Sequence, residues 1–144
     1  MSVEEIYAAI PHRPPFLFVD EIVERGEQRI VCRKTFAGDE WFFAGHYPGQ
    51  PLVPGVILCE AAMQAGAVLL AGCATPEVRG LPVATRMNDV RFKRIVRPGE
   101  TIVLDVEWTE RVGNAWYLKA KITCDGQLAA RLEFTCMLSS AALE

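Results

Sequence analysis

The stretch Gly55–Ala71, GVILCEAAMQAGAVLLA, constrains the fold of this chain more than any other. It reads as a helix: no proline interrupts it, Pro54 stands at its entry, where proline is tolerated, and Gly72 follows as a stop. Its side chains are apolar nearly all round, and a helix with no polar face must be surrounded. The run is short for a bilayer and is broken by Glu60 and Gln64, so the reading is a buried helix and no membrane span. The 144 residues amount to one domain, residues 1–144. One sheet from one such domain covers a single side of a helix. The spacing therefore predicts a second protomer, a homodimer.

The sheet is legible in the C-terminal half. Ile102, Leu104, Val106 and Trp108 alternate with polar residues. So do Trp116, Leu118, Ala120 and Ile122, then Leu128, Ala130, Leu132, Phe134, Cys136 and Leu138. Period two marks antiparallel strands with one buried face. Asp125-Gly126 is a two-residue hairpin turn, and Pro98-Gly99 and Gly113-Asn114 mark other bends. Upstream, Ser2 to Glu5 fits a capping box opening a short helix that Pro11 ends. Strands are expected over Phe16–Val23 and about Gln28–Phe36. The class is α+β, a long central helix wrapped by antiparallel sheet.

Composition removes several functions. Hydrophobic residues at 51% and charged residues at 23% exclude a disordered chain. Fifteen Lys+Arg against eighteen Asp+Glu leave a net charge of −3, which argues against a whole-chain nucleic-acid binder. The five cysteines are odd in number and none forms a CxxC pair, so free, mostly buried thiols in a reducing, cytoplasmic compartment are expected. No cysteine is spaced with either histidine as zinc ligands, so no metal is expected. The acidic start, Met1-Ser2-Val3-Glu4-Glu5, differs from a signal peptide.

Few residues are placed to do chemistry. Glu60 is a carboxyl among apolar neighbours. Burial disfavours its charged form and favours the protonated form that a general acid needs. The alternative is a glutamate at a helix edge reaching solvent. Gln64, one turn on, faces the same way, can hydrogen-bond it and is expected to bind substrate beside it, as are Gly55 and Val56. His46 follows Gly45 in a loop stiffened by Pro48, Pro51 and Pro54, where a fixed imidazole can serve as a base or merely cap a turn. At the helix start, the N–H groups of Gly55 and Val56 can polarise a carbonyl, or simply begin the helix. Arg91, Lys93, Arg94 and Arg97 crowd one short stretch, read as a strand. They form either a solvated face or a docking surface for an acidic partner. His12, in a proline-rich connection without an acid–base partner nearby in sequence, reads as structural. Cys59 reads as packing rather than a nucleophile.

Four blocks, spread from about Ile6 to Met137, together resemble the FabZ-type family of 3-hydroxyacyl-(acyl-carrier-protein) dehydratases. They are Ile10 to Asp20 (IPHRPPFLFVD), Phe42 to Val56 (FFAGHYPGQPLVPGV), Leu58 to Gln64 (LCEAAMQ) and Arg91 to Glu100 (RFKRIVRPGE). The resemblance implies the hot-dog fold and a dimer whose sites each combine His46 of one protomer with Glu60 of the other, in some cases assembled as three dimers. It implies that His46 removes the C2 proton while Glu60 protonates the departing 3-hydroxyl, giving a trans-2-enoyl thioester. No metal or redox cofactor is implied. The substrate rides on the phosphopantetheine of acyl carrier protein, an acidic partner for the basic stretch, and the setting is fatty acid biosynthesis. The chain departs from the pattern at Pro14, at Tyr47, and over Thr85–Asp89, which lacks the family's glycine and first aspartate. Its acid is Glu rather than the Asp of the dehydratase–isomerases, so double-bond isomerisation is not expected. Two other functions fit the residues: a hot-dog thioesterase using Glu60 to activate water, and a non-catalytic acyl- or carrier-binding module.

Overall fold

A computed structural model describes residues 3–73 and 80–139. The elements run α1 (Val3–Ala9), β1 (Glu21–Arg25), β2 (Arg29–Thr35), α2 (Gly55–Ala71), β3 (Leu81–Phe92), β4 (Thr101–Val112), β5 (Ala115–Cys124) and β6 (Gln127–Ser139). The six strands form one antiparallel sheet in the order β1-β2-β4-β5-β6-β3. The sheet curls around α2, which packs on β2 through β6. This is the hot-dog arrangement. The proposed capping serine, Ser2, lies outside the described residues.

The alternating residues of β4 and β5 point where their period requires. Ile102, Leu104 and Val106 are buried, as are Trp116, Leu118, Ala120 and Ile122, and all seven join the core around the helix. Asp125 and Gly126 both have positive φ (52° and 74°), as the tight β5–β6 hairpin demands. Where α2 crosses the sheet, a Cβ on Gly66 would lie 2.9 Å from the buried Phe134 ring, so glycine sets how closely helix and sheet approach.

Three expectations are corrected. Phe16–Asp20 is not strand, and β1 begins only at Glu21. The reason is chemical: the N–H of Phe18 and the C=O of Phe16 are bonded to the side chain of Gln64 instead of to a neighbouring strand. The basic stretch is strand only through Phe92, for the N–H groups of Lys93 and Arg94 both turn onto the Ala129 carbonyl. Third, less of the helix is left open than expected, because α1 and the loops that follow it join the sheet in the core around it. Val56, Glu60 and Met63 are the positions between Val56 and Leu70 left at least partly open, and their i, i+4, i+7 spacing makes one stripe.

Strand β3 had no clear sequence signature. It is a twelve-residue edge strand, mostly exposed on both faces, so no period-two pattern marks it. Among the described residues it pairs with β6 alone, and Val83, Met87 and Phe92 stand exposed along it.

Candidate active site

Glu60 and Met63 of the open stripe face a cavity of about 250 Å³ closed on one side by Pro82, Val83 and Ala84 of β3. Glu60, Gln64, Met63, Ala67, Cys136 and His12 complete its wall. The cavity therefore lies where the helix meets the unpaired edge of the sheet.

Gln64 organises this corner. It is 1% exposed. Its Oε1 accepts the Phe18 N–H at 2.7 Å, while its Nε2 donates to the Phe16 carbonyl at 2.9 Å and to Glu60 Oε2 at 3.0 Å. A backbone donor on one side and a backbone acceptor on the other leave the amide a single satisfactory orientation. Glu60 Oε2 is thus always presented with an N–H. If Glu60 carries a proton, that proton sits on Oε1. Gln64 was expected to bind substrate; it lines the cavity, but both its N–H groups are already engaged.

His12 has no acid–base partner nearby in sequence, but the fold brings one to it: its Nε2 lies 3.8 Å from Glu60 Oε2. The chain leaving α1 folds back over α2, which no local pattern reveals. Arg13 holds it there, donating to the carbonyls of Tyr7, Ile10 and His12 and stacking over the Tyr7 ring. A signal for this contact did exist: a glutamine buried in an apolar helix needs more partners than its own helix supplies.

His46 lies elsewhere in the chain. It is partly exposed in a loop of successive turns, with its ring edge-on to Tyr47 at 4.8 Å, and Tyr47 has a φ of 50°. Phe42 and Phe43 anchor the loop in the core, and the Val53 N–H to Val96 carbonyl bond ties its end down. Glu40 secures its start by accepting the N–H groups of Ala37 and Gly38. Burial alone would raise the Glu40 carboxyl, but the backbone N–H groups of Gly38, Glu40 and Ala37 and the Lys34 charge together hold it below its ordinary value. Among the described residues no hydrogen bond or ion pair joins His46 to Glu60, and His46 is not among the residues that line the Glu60 cavity.

At the start of α2, the Ile57 and Leu58 N–H groups return to the Pro54 carbonyl, and among the described residues no acceptor takes those of Gly55 and Val56. The space beside the Gly55 Cα is filled by the Phe92 ring, 2.8 Å from where a Cβ would stand. Glycine here admits Phe92. Val56 is exposed.

The four basic residues divide. The Arg94 guanidinium is bonded to Glu100 at 2.8 Å, with Asp125 at 3.5 Å, and holds the Glu100 carboxyl below its ordinary value. Arg91 is paired with Asp89 at 3.1 Å. Lys93 and Arg97 are exposed, and no carboxylate among the described residues pairs with either. Glu100, Cys124 and Asp125 are grouped closely enough to hold a metal ion, but Arg94 already supplies that cluster's positive charge.

The thiols are unsuited to nucleophilic work. Burial pushes Cys59 up, and burial together with the nearby Glu60 charge pushes Cys136 up to about 12. All five cysteines are free. Among the described residues no helix is long and apolar enough to cross a membrane.

Comparison with known proteins agrees with this layout. The FabA-like domain family matches residues 10–133. The chain is 39% identical over 142 residues to a 3-hydroxyacyl-(acyl-carrier-protein) dehydratase FabZ of Anaeromyxobacter sp. (strain K), covering 96% of this chain and 91% of that one. It is 41% identical over 130 residues to the FabZ of Clostridium perfringens (strain SM101 / Type A), covering 90% and 92%. Among solved structures, the dehydratase heterocomplex ApeI:P from Xenorhabdus doucetiae superposes with a TM-score of 0.78 at 14% identity, covering 96% of this chain and 91% of that one. The TT0310 protein of Thermus thermophilus superposes at 0.66 and 14% identity, covering 89% and 100%. At such identities those two structures speak to the fold alone. The sequence matches go further, and by them the chain belongs to the FabA-like family.

Proposed function

We propose that this protein dehydrates (3R)-3-hydroxyacyl thioesters carried by acyl carrier protein to trans-2-enoyl thioesters, in fatty acid biosynthesis in the cytoplasm. The observation that carries the reading is Glu60, held by Gln64 on the open stripe of an otherwise buried helix, in a chain matching FabZ dehydratases along nearly its whole length.

His46 takes the C2 proton, the C2–C3 double bond forms, and the C3–O bond breaks. The departing hydroxyl takes the proton from Glu60 Oε1 and leaves as water. The free N–H groups of Gly55 and Val56 polarise the thioester carbonyl, whose oxygen gains charge as C2 is deprotonated. The reaction needs no metal or redox cofactor.

Each site draws His46 from one protomer and Glu60 from the other of a homodimer, which can in turn assemble as three dimers. Two features support this. His46 does not line the Glu60 cavity of its own chain, and β3 is a long edge strand with exposed apolar side chains, a surface that seeks pairing. Acyl carrier protein docks on the basic segment through Lys93 and Arg97, with Arg91 beside them. Arg94 holds that segment to Glu100.

The test is a two-way assay on an enoyl thioester and a 3-hydroxyacyl thioester of acyl carrier protein. The expected result is interconversion with the thioester intact, abolished by Glu60→Gln and by His46→Ala in proteins that remain folded. Release of free thiol would instead identify a thioesterase. Tight carrier binding without turnover would identify a binding module.

A further inference from the structure

We infer that His12 is a positioning residue for Glu60, donating its Nε2–H to Oε2 so that the transferable proton is confined to Oε1. The inference rests on the dehydratase reading above for its kinetic consequence, but not for its geometry.

His12 and Glu60 line the same cavity, at 29% and 25% side-chain exposure, with Nε2 and Oε2 3.8 Å apart. The other ring nitrogen, Nδ1, is buried with no hydrogen-bond partner. A proton on Nδ1 would be a buried donor left unpaired. Nδ1 goes unpaired in either tautomer, and an acceptor, Glu60 Oε2, faces only Nε2, so the proton belongs on Nε2. The position of His12 is itself fixed, because Arg13 donates to the His12 carbonyl at 2.7 Å and to two carbonyls of the preceding segment.

Two donors thus converge on one oxygen of Glu60. Gln64 already bonds Oε2 at 3.0 Å, and His12 approaches the same atom. Among the described residues Oε1 has no hydrogen-bond partner, so it remains available to the substrate hydroxyl. When Oε1 gives up its proton, the carboxylate gains charge, and the His12 contact shortens from 3.8 Å to hydrogen-bonding length. Contacts of this kind are commonly long before the reacting complex forms.

The experiment compares His12→Leu, which fills the space without a donor, with His12→Gln, whose amide N–H reaches about as far as Nε2. In the hydration assay, His12→Leu is expected to lower kcat on the order of tenfold with KM within about twofold. That is less than the loss of a fully formed oxyanion-hole donor, since the resting contact is long. His12→Gln is expected to recover most of the rate at the same thermal midpoint. A merely structural role would lower the midpoint and disturb both variants alike. Wild-type kcat in His12→Leu, or equal losses in both variants at unchanged stability, would overturn the inference. A second measurement does not depend on turnover: long-range 1H–15N side-chain spectra of the wild-type protein should show His12 as the Nε2–H tautomer. An Nδ1–H tautomer would overturn the inference even in an active enzyme. An inactive wild type would overturn the dehydratase reading while leaving the tautomer readable.

Discussion

Gln64 donates to Glu60 at 3.0 Å across one turn of α2, and the same amide is locked from behind by the backbone of Phe16 and Phe18. One side chain therefore joins the N-terminal segment to the central helix and aims the proposed acid. Glutamine does this where leucine cannot, because the segment it holds leaves its backbone groups without a strand partner.

Replacing Gln64 by Leu keeps the volume but leaves the Phe18 N–H and the Phe16 carbonyl without partners. With roughly 1–3 kcal/mol for each unsatisfied group, partly relieved by water at the less buried Phe16, the expected loss is about 2–4 kcal/mol. Urea denaturation reads it directly, and an unchanged midpoint would contradict the clamp. Enoyl hydration should fall too, since Glu60 would lose its fixed donor.

A site shared between protomers makes a prediction by subunit mixing. His46→Ala and Glu60→Gln chains, each inactive alone, are unfolded and refolded together. Random pairing makes half the dimers mixed, and each mixed dimer has one intact site, so activity should return to about one quarter of wild type. No recovery, with mixed dimers shown by mass, would mean that both residues serve within one chain.

The two crowded glycines of α2 should respond differently to alanine. At Gly66 the new methyl meets Phe134, which is 1% exposed and enclosed by the core. The overpacking costs about 1–3 kcal/mol and exceeds the gain in helix propensity of about 1 kcal/mol. At Gly55 the obstacle is Phe92, which is 53% exposed and free to swing aside. Gly66→Ala should therefore lower the thermal midpoint, while Gly55→Ala leaves it nearly unchanged.

Acid should weaken the fold through two carboxylates. Glu100 is held below its ordinary value by the Arg94 guanidinium. At Glu40 burial alone would raise the value, but the backbone N–H groups of Gly38, Glu40 and Ala37 and the Lys34 charge hold it lower. In both cases the unfolded chain binds the proton more readily. The stabilisation is complete above the ordinary value of 4.5 and is lost as pH falls through the lower folded-state values. Glu100→Gln and Glu40→Gln should each reduce stability at neutral pH, and each should flatten its decline as pH falls below the ordinary value of 4.5. A decline as steep as that of wild type in both variants would assign the acid sensitivity to other groups.

Local pattern sufficed wherever a residue's environment is set by its own element. The ends of α2, the buried alternation of β4 and β5, and the positive φ at Asp125-Gly126 all follow from period and turn chemistry. Glu60 and Gln64 stood out because polar atoms in an apolar helix need partners, and the partnership between them is one turn long. Strand β3 escaped because an edge strand exposed on both faces carries no alternation. The strand expected over Phe16–Val23 starts only at Glu21, because a side chain 46 residues away took the Phe18 N–H.

What the chain's own sequence determined is the buried helix, the sheet that wraps it, and the identity of the two residues proposed as acid and base. What only the tertiary structure decided is the surroundings of Glu60: the backbone clamp on Gln64, the approach of His12, and the cavity against β3. These depend on how the segment after α1 returns over α2. That path is set by hydrogen bonds between residues distant in sequence, and no periodicity or spacing along the chain records it.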